Sequence, residues 1–148
     1  MAERRVVGWR EWAALPGFGI AAIRAKIDTG ARSSALHVET LETFPVDGVE
    51  RVRFVVDAGS GGRATEVETD VLTRRIVTDS GGHRTERIFV RGLLQLAGLR
   101  LDIEINLCSR HNMRFPMLIG RSALGGRFAV DPALSWTAGT LPATDLPA

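Results

Sequence analysis

The chain has one cysteine, Cys108, and one lysine, Lys26, among its 148 residues. A single cysteine cannot close an internal disulfide, so nothing calls for an oxidising compartment, and a cytoplasmic setting is the expectation. Cys108 lies in an apolar-rich run, where a thiol is ordinarily buried and inert. No apolar stretch is long enough to cross a bilayer, so no membrane insertion is expected. Arg10 and Glu11 interrupt the apolar residues that follow Arg4 and Arg5, so no signal peptide is expected at the N-terminus. There is no Walker A pattern, no kinase-type glycine loop and no His-Glu-x-x-His. His37, His83 and His111 are the only histidines, and Cys108 is unaccompanied. No cofactor and no metal are therefore expected.

The chain is also short of strong charge asymmetry, with 19 basic and 17 acidic residues and a formal charge of +2. Almost all the positive charge is arginine, whose planar fork suits carboxylates and phosphates. These arginines are scattered, however. Arg74-Arg75 is the only doublet past the N-terminus, and no basic run interleaves with aromatics, so nucleic-acid binding is not expected.

What is present is an ordinary globular composition, 45% hydrophobic and 24% charged, in a length suited to one domain. Residues 1–136 are read as that domain and 137–148 as a loose tail, because Pro142 and Pro147 sit there among little that can be buried. The periodicity is that of strands. Ile23, Ala25 and Ile27 alternate with Arg24, Lys26 and Asp28, and the runs Val49–Val56, Arg84–Val90 and Leu101–Leu107 alternate similarly. Ala35–Glu42 reads as another strand with its turn at Phe44-Pro45-Val46-Asp47-Gly48, and Gly92–Leu99 as a turn region. Trp9 and Trp12, next to a strand, are expected to pack onto the core. Asp57–Arg63 and Asp79–His83 are glycine-rich hairpin tips. The expectation is a mainly β protein, a closed or nearly closed barrel, with one short helix beginning at Arg121.

One stretch stands out: Ile27-Asp28-Thr29-Gly30-Ala31-Arg32-Ser33-Ser34-Ala35-Leu36. A strand delivers a carboxylate into a tight glycine turn. In ordinary β proteins such an aspartate simply caps the turn. Leu118-Ile119-Gly120-Arg121 follows late in the chain, a buried apolar pair and a glycine that permits close backbone approach.

Together these two segments resemble the two halves of the retropepsin pattern. With Gly8-Trp9-Arg10-Glu11, Asn112–Arg121 and Asp131-Pro132, the chain is similar from about Val7 to about Ser135 to a bacterial family. That family was first labelled an ATP-dependent zinc protease and is now viewed as retropepsin-like, associated with ATP-grasp peptide ligases. The resemblance implies an acid-protease barrel and an aspartic endopeptidase, with Asp28, Thr29 and Gly30 as the catalytic loop. Leu118, Ile119 and Gly120 would support it. Two carboxylates sharing a proton about a water are needed, and the chain has one Asp-Thr-Gly, so a homodimer with both Asp28 side chains at its interface is implied.

The same resemblance places Ala31, Arg32 and Arg121 against substrate, a peptide or protein rich in carboxylates and linked to the product of an ATP-grasp ligase. Arg32 is open to pairing with Asp28 instead, and Arg121 to a structural salt bridge. A flap would cover the cleft, with Gly81 and Gly82 of Asp79–His83 the first candidate and Gly59–Arg63 the second. Two further readings stand beside the peptidase: a non-catalytic β-barrel that binds an acidic peptide or protein, and a zinc-dependent hydrolase.

Overall fold

A computed structural model describes residues 4–58, 64–79, 81–109 and 114–139. In chain order the strands are β1 (Arg5–Val7), β2 (Arg10–Leu15), β3 (Ile20–Ile27), β4 (Ser34–His37), β5 (Thr40–Val46), β6 (Val49–Val56), β7 (Thr65–Asp70), β8 (Thr73–Thr78), β9 (Arg84–Leu96), β10 (Leu99–Cys108), β11 (Met117–Ile119) and β12 (Phe128–Val130). The helix α1 spans Arg121–Leu124, between β11 and β12. The mainly β expectation holds, as does the short late helix.

The main sheet runs β10-β4-β11-β3-β2-β9-β8, and β9 also pairs with β10. The order therefore closes on itself into a ring from which β8 extends. Alternation fills the ring. Along β3, Ile20, Ala22, Ile23, Ala25 and Ile27 are buried while Ala21 and Lys26 are exposed. A second sheet, β5-β6-β7, turns Val52, Phe54, Val56 and Val67 onto the same core. Phe18 meets Phe54 edge to face at 5.8 Å, joining the 3-10 turn after β2 to that sheet.

Three local expectations are corrected. The run Ala35–Glu42 is two strands, because the chain changes sheets within it: Val38 N–H donates to Cys108 O of the ring, and Glu39 N–H to Val55 O of the second sheet. Phe44-Pro45-Val46 belongs to β5, and only Asp47 and Gly48 turn, with φ of 50° and 82°. Two successive left-handed residues match the twist of a tight hairpin. Gly92 lies inside β9 rather than in a turn. A Cβ there would come within 2.9 Å of Ile105 Cδ1 and 3.2 Å of the Phe18 ring, so glycine serves close packing, and the turn proper is Ala97-Gly98.

Trp9 and Trp12 are half-buried and outside the core. The pleat explains it: β2 turns Glu11, Ala13 and Leu15 inward and Arg10, Trp12 and Ala14 outward. Glu11 is thus fully buried. Its carboxylate accepts hydrogen bonds from Gly8 N–H at 2.6 Å, Ala138 N–H at 2.9 Å and Thr137 Oγ1. It ties β2 to the segment after β12, so the fold's contacts reach past Trp136. Nearby, Gly8 passes so close to Leu134 that a Cβ would lie 2.2 Å from its carbonyl oxygen.

The outer faces carry paired charges. Arg51 bonds Glu68 and Asp70, Arg53 bonds Glu42 and Glu68, Arg74 bonds Glu50, and Arg75 bonds Glu104. Hydrogen bonds from Arg74 and Arg75 hold the Glu50 and Glu104 carboxyls below the usual value of 4.5.

Two outcomes are expected. Removing the Glu11 carboxylate strands buried donors, so Glu11→Ala should lose about 2–4 kcal/mol in urea unfolding, and an unchanged midpoint would contradict the clamp. Carboxyls with lowered folded pKa contribute stability above their unfolded value that is lost as pH falls through the folded one. The urea midpoint of the native chain should therefore decline below pH 4.5 more steeply than that of the Glu50→Gln/Glu104→Gln double variant.

Candidate active site

β3 delivers Asp28 to the loop before β4. The Asp28 N–H continues the ladder by donating to Ile119 O at 2.9 Å, so the residue is placed by β11 as well as by its own strand. Its carboxylate is half-buried, and Oδ1 accepts from Gly30 N–H at 3.0 Å. Ala31 N–H closes the turn on Asp28 O at 3.2 Å. A Cβ on Gly30 would lie 3.3 Å from Asp28 Oδ1, so a side chain there would press on the carboxylate. Oδ2 has no protein hydrogen bond among the described residues, which leaves it available to a ligand or a water.

The loop is held from the other side by the start of α1. Arg121 N–H donates to Ala31 O at 2.8 Å, and Ser122 N–H to Arg32 O at 3.0 Å. The Arg121 guanidinium donates to Thr29 O at 3.0 Å. These bonds bring the segments so close that a Cβ on Gly120 would lie 2.6 Å from Ser33 O and 2.9 Å from Ala31 O. Gly120 has φ −96°, so its need is for space and not for a left-handed backbone.

Beneath the loop runs a buried polar chain. Gly120 N–H donates to Ser34 Oγ at 3.1 Å, Asn106 Nδ2 donates to Ser34 O at 2.9 Å, and Arg87 donates to Asn106 Oδ1 at 2.9 Å. Ser34 and Asn106 are almost wholly buried, so their pairing is what makes their burial tolerable. The chain links β9 through β10 to the floor of the Asp28 loop. Neither Ser34 nor Asn106 was singled out in the sequence. An asparagine standing where Asp102 and Glu104 precede it on β10 was the available signal, and a weak one.

The structure thus brings Asp28, Thr29, Gly30, Ala31 and Arg32 together with Leu118, Ile119, Gly120 and Arg121. Thr29, Gly30, Arg32 and Arg121 are exposed, and Leu118 is half-buried between Lys26 and Ala35. Gly81 and Gly82 lie apart from this loop in sequence, at the tip of the β8–β9 hairpin. Gly81 N–H donates to Asp79 Oδ1 at 2.9 Å, Gly82 N–H to Asp79 O at 3.0 Å, and Gly82 has φ 82°. The second flap candidate, residues 59–63, lies outside the described residues, as does His111. His37 ends β4, and its Nδ1 is covered without a hydrogen-bond partner. No three His, Cys, Asp or Glu side chains group as metal ligands among the described residues. An open surface notch lined by Arg4, Arg5, Val6, Ala97, Thr137 and Ala138 does not include Asp28.

Comparison with known proteins agrees with this geometry. Residues 6–140 match the model of the RimB-like family, described as the retropepsin-like aspartic endopeptidase RimB. Among curated proteins, a "Probable alpha-L-glutamate ligase" of Desulfotalea psychrophila is 38% identical over 138 residues, covering 92% of this chain and 30% of that protein. One of the same name from Parasynechococcus marenigrum is 36% identical over 143 residues, covering 95% of this chain and 31% of that protein. The chain therefore spans about a third of the length of these relatives. Among solved structures, a protein of unknown function from Legionella pneumophila superposes with a TM-score of 0.76 at 28% identity, covering 92% of this chain and 99% of that one. With an Asp-Thr-Gly loop seated on an apolar-apolar-glycine segment and a family match over almost its whole described length, the chain belongs to the RimB-like family of retropepsin-like aspartic endopeptidases.

Proposed function

We propose that this chain is an aspartic endopeptidase that works as a homodimer, each copy contributing one Asp28. The observation that carries the reading is the fixed placement of that carboxylate. Its backbone is held by Ile119 O, one oxygen by Gly30 N–H, and its loop by Arg121 and Ser122. Peptide hydrolysis by this chemistry needs a water held between two carboxylates. Two such groups a few ångströms apart cannot both ionise, so one takes the proton of the attacking water while its protonated partner polarises the scissile carbonyl. Gly30 keeps side-chain atoms away from the water's position. A twofold axis near the loop supplies the second carboxylate with the same geometry.

The substrate is a peptide or protein rich in carboxylates. Support comes from the relatives named as glutamate ligases, in which a segment similar to this chain accompanies a longer remainder. That arrangement suits an enzyme that trims what a ligase has extended. In this reading Arg32, exposed beside the loop, faces substrate, whereas the guanidinium of Arg121 is engaged with Thr29 O and serves the loop itself.

The same coverage favours a second reading, a non-catalytic module that presents acidic chains to a neighbouring ligase. Replacing Asp28 separates the two. Asp28→Asn should lower kcat on an oligoglutamate-containing peptide by about 10³-fold or more while leaving the urea midpoint nearly unchanged. Cleavage retained at the native rate would overturn the peptidase assignment, and a native chain that binds the peptide without cutting it would leave the module.

A further inference from the structure

Several arginines of this protein bond carboxylates, whereas three cations on β2 and β3 have no carboxylate partner among the described residues. On the second sheet and the β8–β9–β10 face, Arg51, Arg53, Arg74 and Arg75 each bond a carboxylate. On the outer face of β2 and β3, Arg10, Arg24 and Lys26 make no ion pair or hydrogen bond with side chains among the described residues. Arg10 lies directly opposite Lys26 in the antiparallel register, and Trp12 opposite Arg24. Directly opposed like charges destabilise a strand pair, so this face stands to gain from an anion.

Aromatic rings hold the two guanidinium groups in place. The Arg10 guanidinium lies 4.6 Å from the Trp9 ring centre and 5.0 Å from that of Trp136. Trp136 in turn stacks on Trp12 at 5.6 Å, while Trp9 meets Phe115 edge to face at 5.9 Å. Arg24 lies 5.9 Å from the Phe115 ring. The Nε atoms of Arg10 and Arg24 are covered and without acceptors, so what each fork offers a ligand is its terminal nitrogens. Stacking of this kind fixes a guanidinium plane in advance and lowers the entropy lost on binding a carboxylate.

The face leads to the candidate catalytic residue. Lys26 is exposed between buried Ala25 and Ile27, and the next outward position along the chain is Asp28. Arg24 and Lys26 are two residues apart on one strand, a spacing of about 6.8 Å, which is also the spacing of alternate side chains in an extended peptide. We propose that the outer face of β2 and β3, with Arg10, Arg24 and Lys26, is a binding site for an extended acidic polypeptide, which it receives by its alternate carboxylates and leads toward Asp28. The rings favour a peptide over a nucleic acid. Arg10 fills the space between Trp9 and Trp136, and Trp12 already stacks on Trp136, so these surfaces are engaged rather than open to bases.

The proposal rests on the peptidase reading only for the direction of the bound chain; binding itself is tested separately. Fluorescein-labelled hexaglutamate is titrated by anisotropy against the full chain carrying Asp28→Asn, at low ionic strength. Adding Arg24→Gln and Lys26→Gln should weaken binding by about tenfold or more, whereas Arg51→Gln/Arg53→Gln, which removes equal charge from the other sheet, should change it by less than about twofold. Arg24→Lys, which keeps the charge but not the fork, should fall between. Equal weakening by both double variants, no binding, or tighter binding of an oligonucleotide of matched charge would overturn the proposal. A change in dimer dissociation without a change in peptide affinity would also overturn it, assigning the face to the second copy. If the native chain cuts the peptide and Arg24→Gln/Lys26→Gln does so with unchanged KM, this site fails while the peptidase stands. If the peptide binds here and the native chain leaves it intact, the reverse holds.

Discussion

The structure depends on the close crossing of two backbone segments, residues 28–34 over residues 119–122. Five hydrogen bonds are made at that crossing among the described residues: Asp28 N–H to Ile119 O, Arg121 N–H to Ala31 O, Ser122 N–H to Arg32 O, Gly120 N–H to Ser34 Oγ, and the Arg121 guanidinium to Thr29 O. A Cβ at position 120 would lie 2.6 Å from Ser33 O and 2.9 Å from Ala31 O, so the approach around Arg121 N–H and Ala31 O depends on glycine there. The crossing is far from local, because residues 35–118 of the chain lie between the two segments. The ring of strands exists around it, with β11 inserted between β3 and β4 and pairing with both. A carboxylate fixed in this way has lost its freedom before any substrate arrives, which is the condition for using it as an acid or base at one position.

The rest of the molecule divides its polar groups by depth. The three buried polar side chains among the described residues are hydrogen-bonded: Glu11 binds the segment after β12, and Ser34 and Asn106 support the Asp28 loop. Arg51, Arg53, Arg74 and Arg75 pair with carboxylates on the surface of β5–β10, where solvent screens them and their contribution is small. Arg10 and Arg24 of the β2–β3 face lie over rings, as Arg53 and Arg75 do, but unlike those two they have no carboxylate partner among the described residues. A guanidinium held over rings with no carboxylate beside it is preorganised without being neutralised, which is the basis for proposing a ligand on this face.

Much of this was legible in the sequence, for reasons that are local. Alternation in Ile20–Ile27, Val49–Val56 and Leu101–Leu107 follows from a two-residue pleat with one buried side, so those strands could be read directly. The loop signature and Leu118–Arg121 were legible as a pair because both are short, distinctive and close in type to a known pattern. What failed depended on partners remote in sequence. The break at Val38-Glu39 is a change of sheet, fixed by Cys108 and Val55. Gly92 reads as a turn until Phe18 and Ile105 are seen packed against it. Glu11 and Asn106 are polar residues at inward positions, which a hydropathy pattern assigns to solvent. Trp9 and Trp12 read as core residues because they are aromatics beside a strand, whereas the pleat of β2 turns Trp12 outward and Glu11 inward.

In the proposed reading the second carboxylate comes from another copy of the chain, so the decisive quantity is the separation of the two Asp28 side chains. It can be measured in a crystal structure of the homodimer that forms in solution. A peptidase dimer should hold carboxylate oxygens about 3 Å apart, near enough to share a proton and hold one water between them. A dimer that leaves them far apart, or a chain that remains monomeric at high concentration, would contradict it.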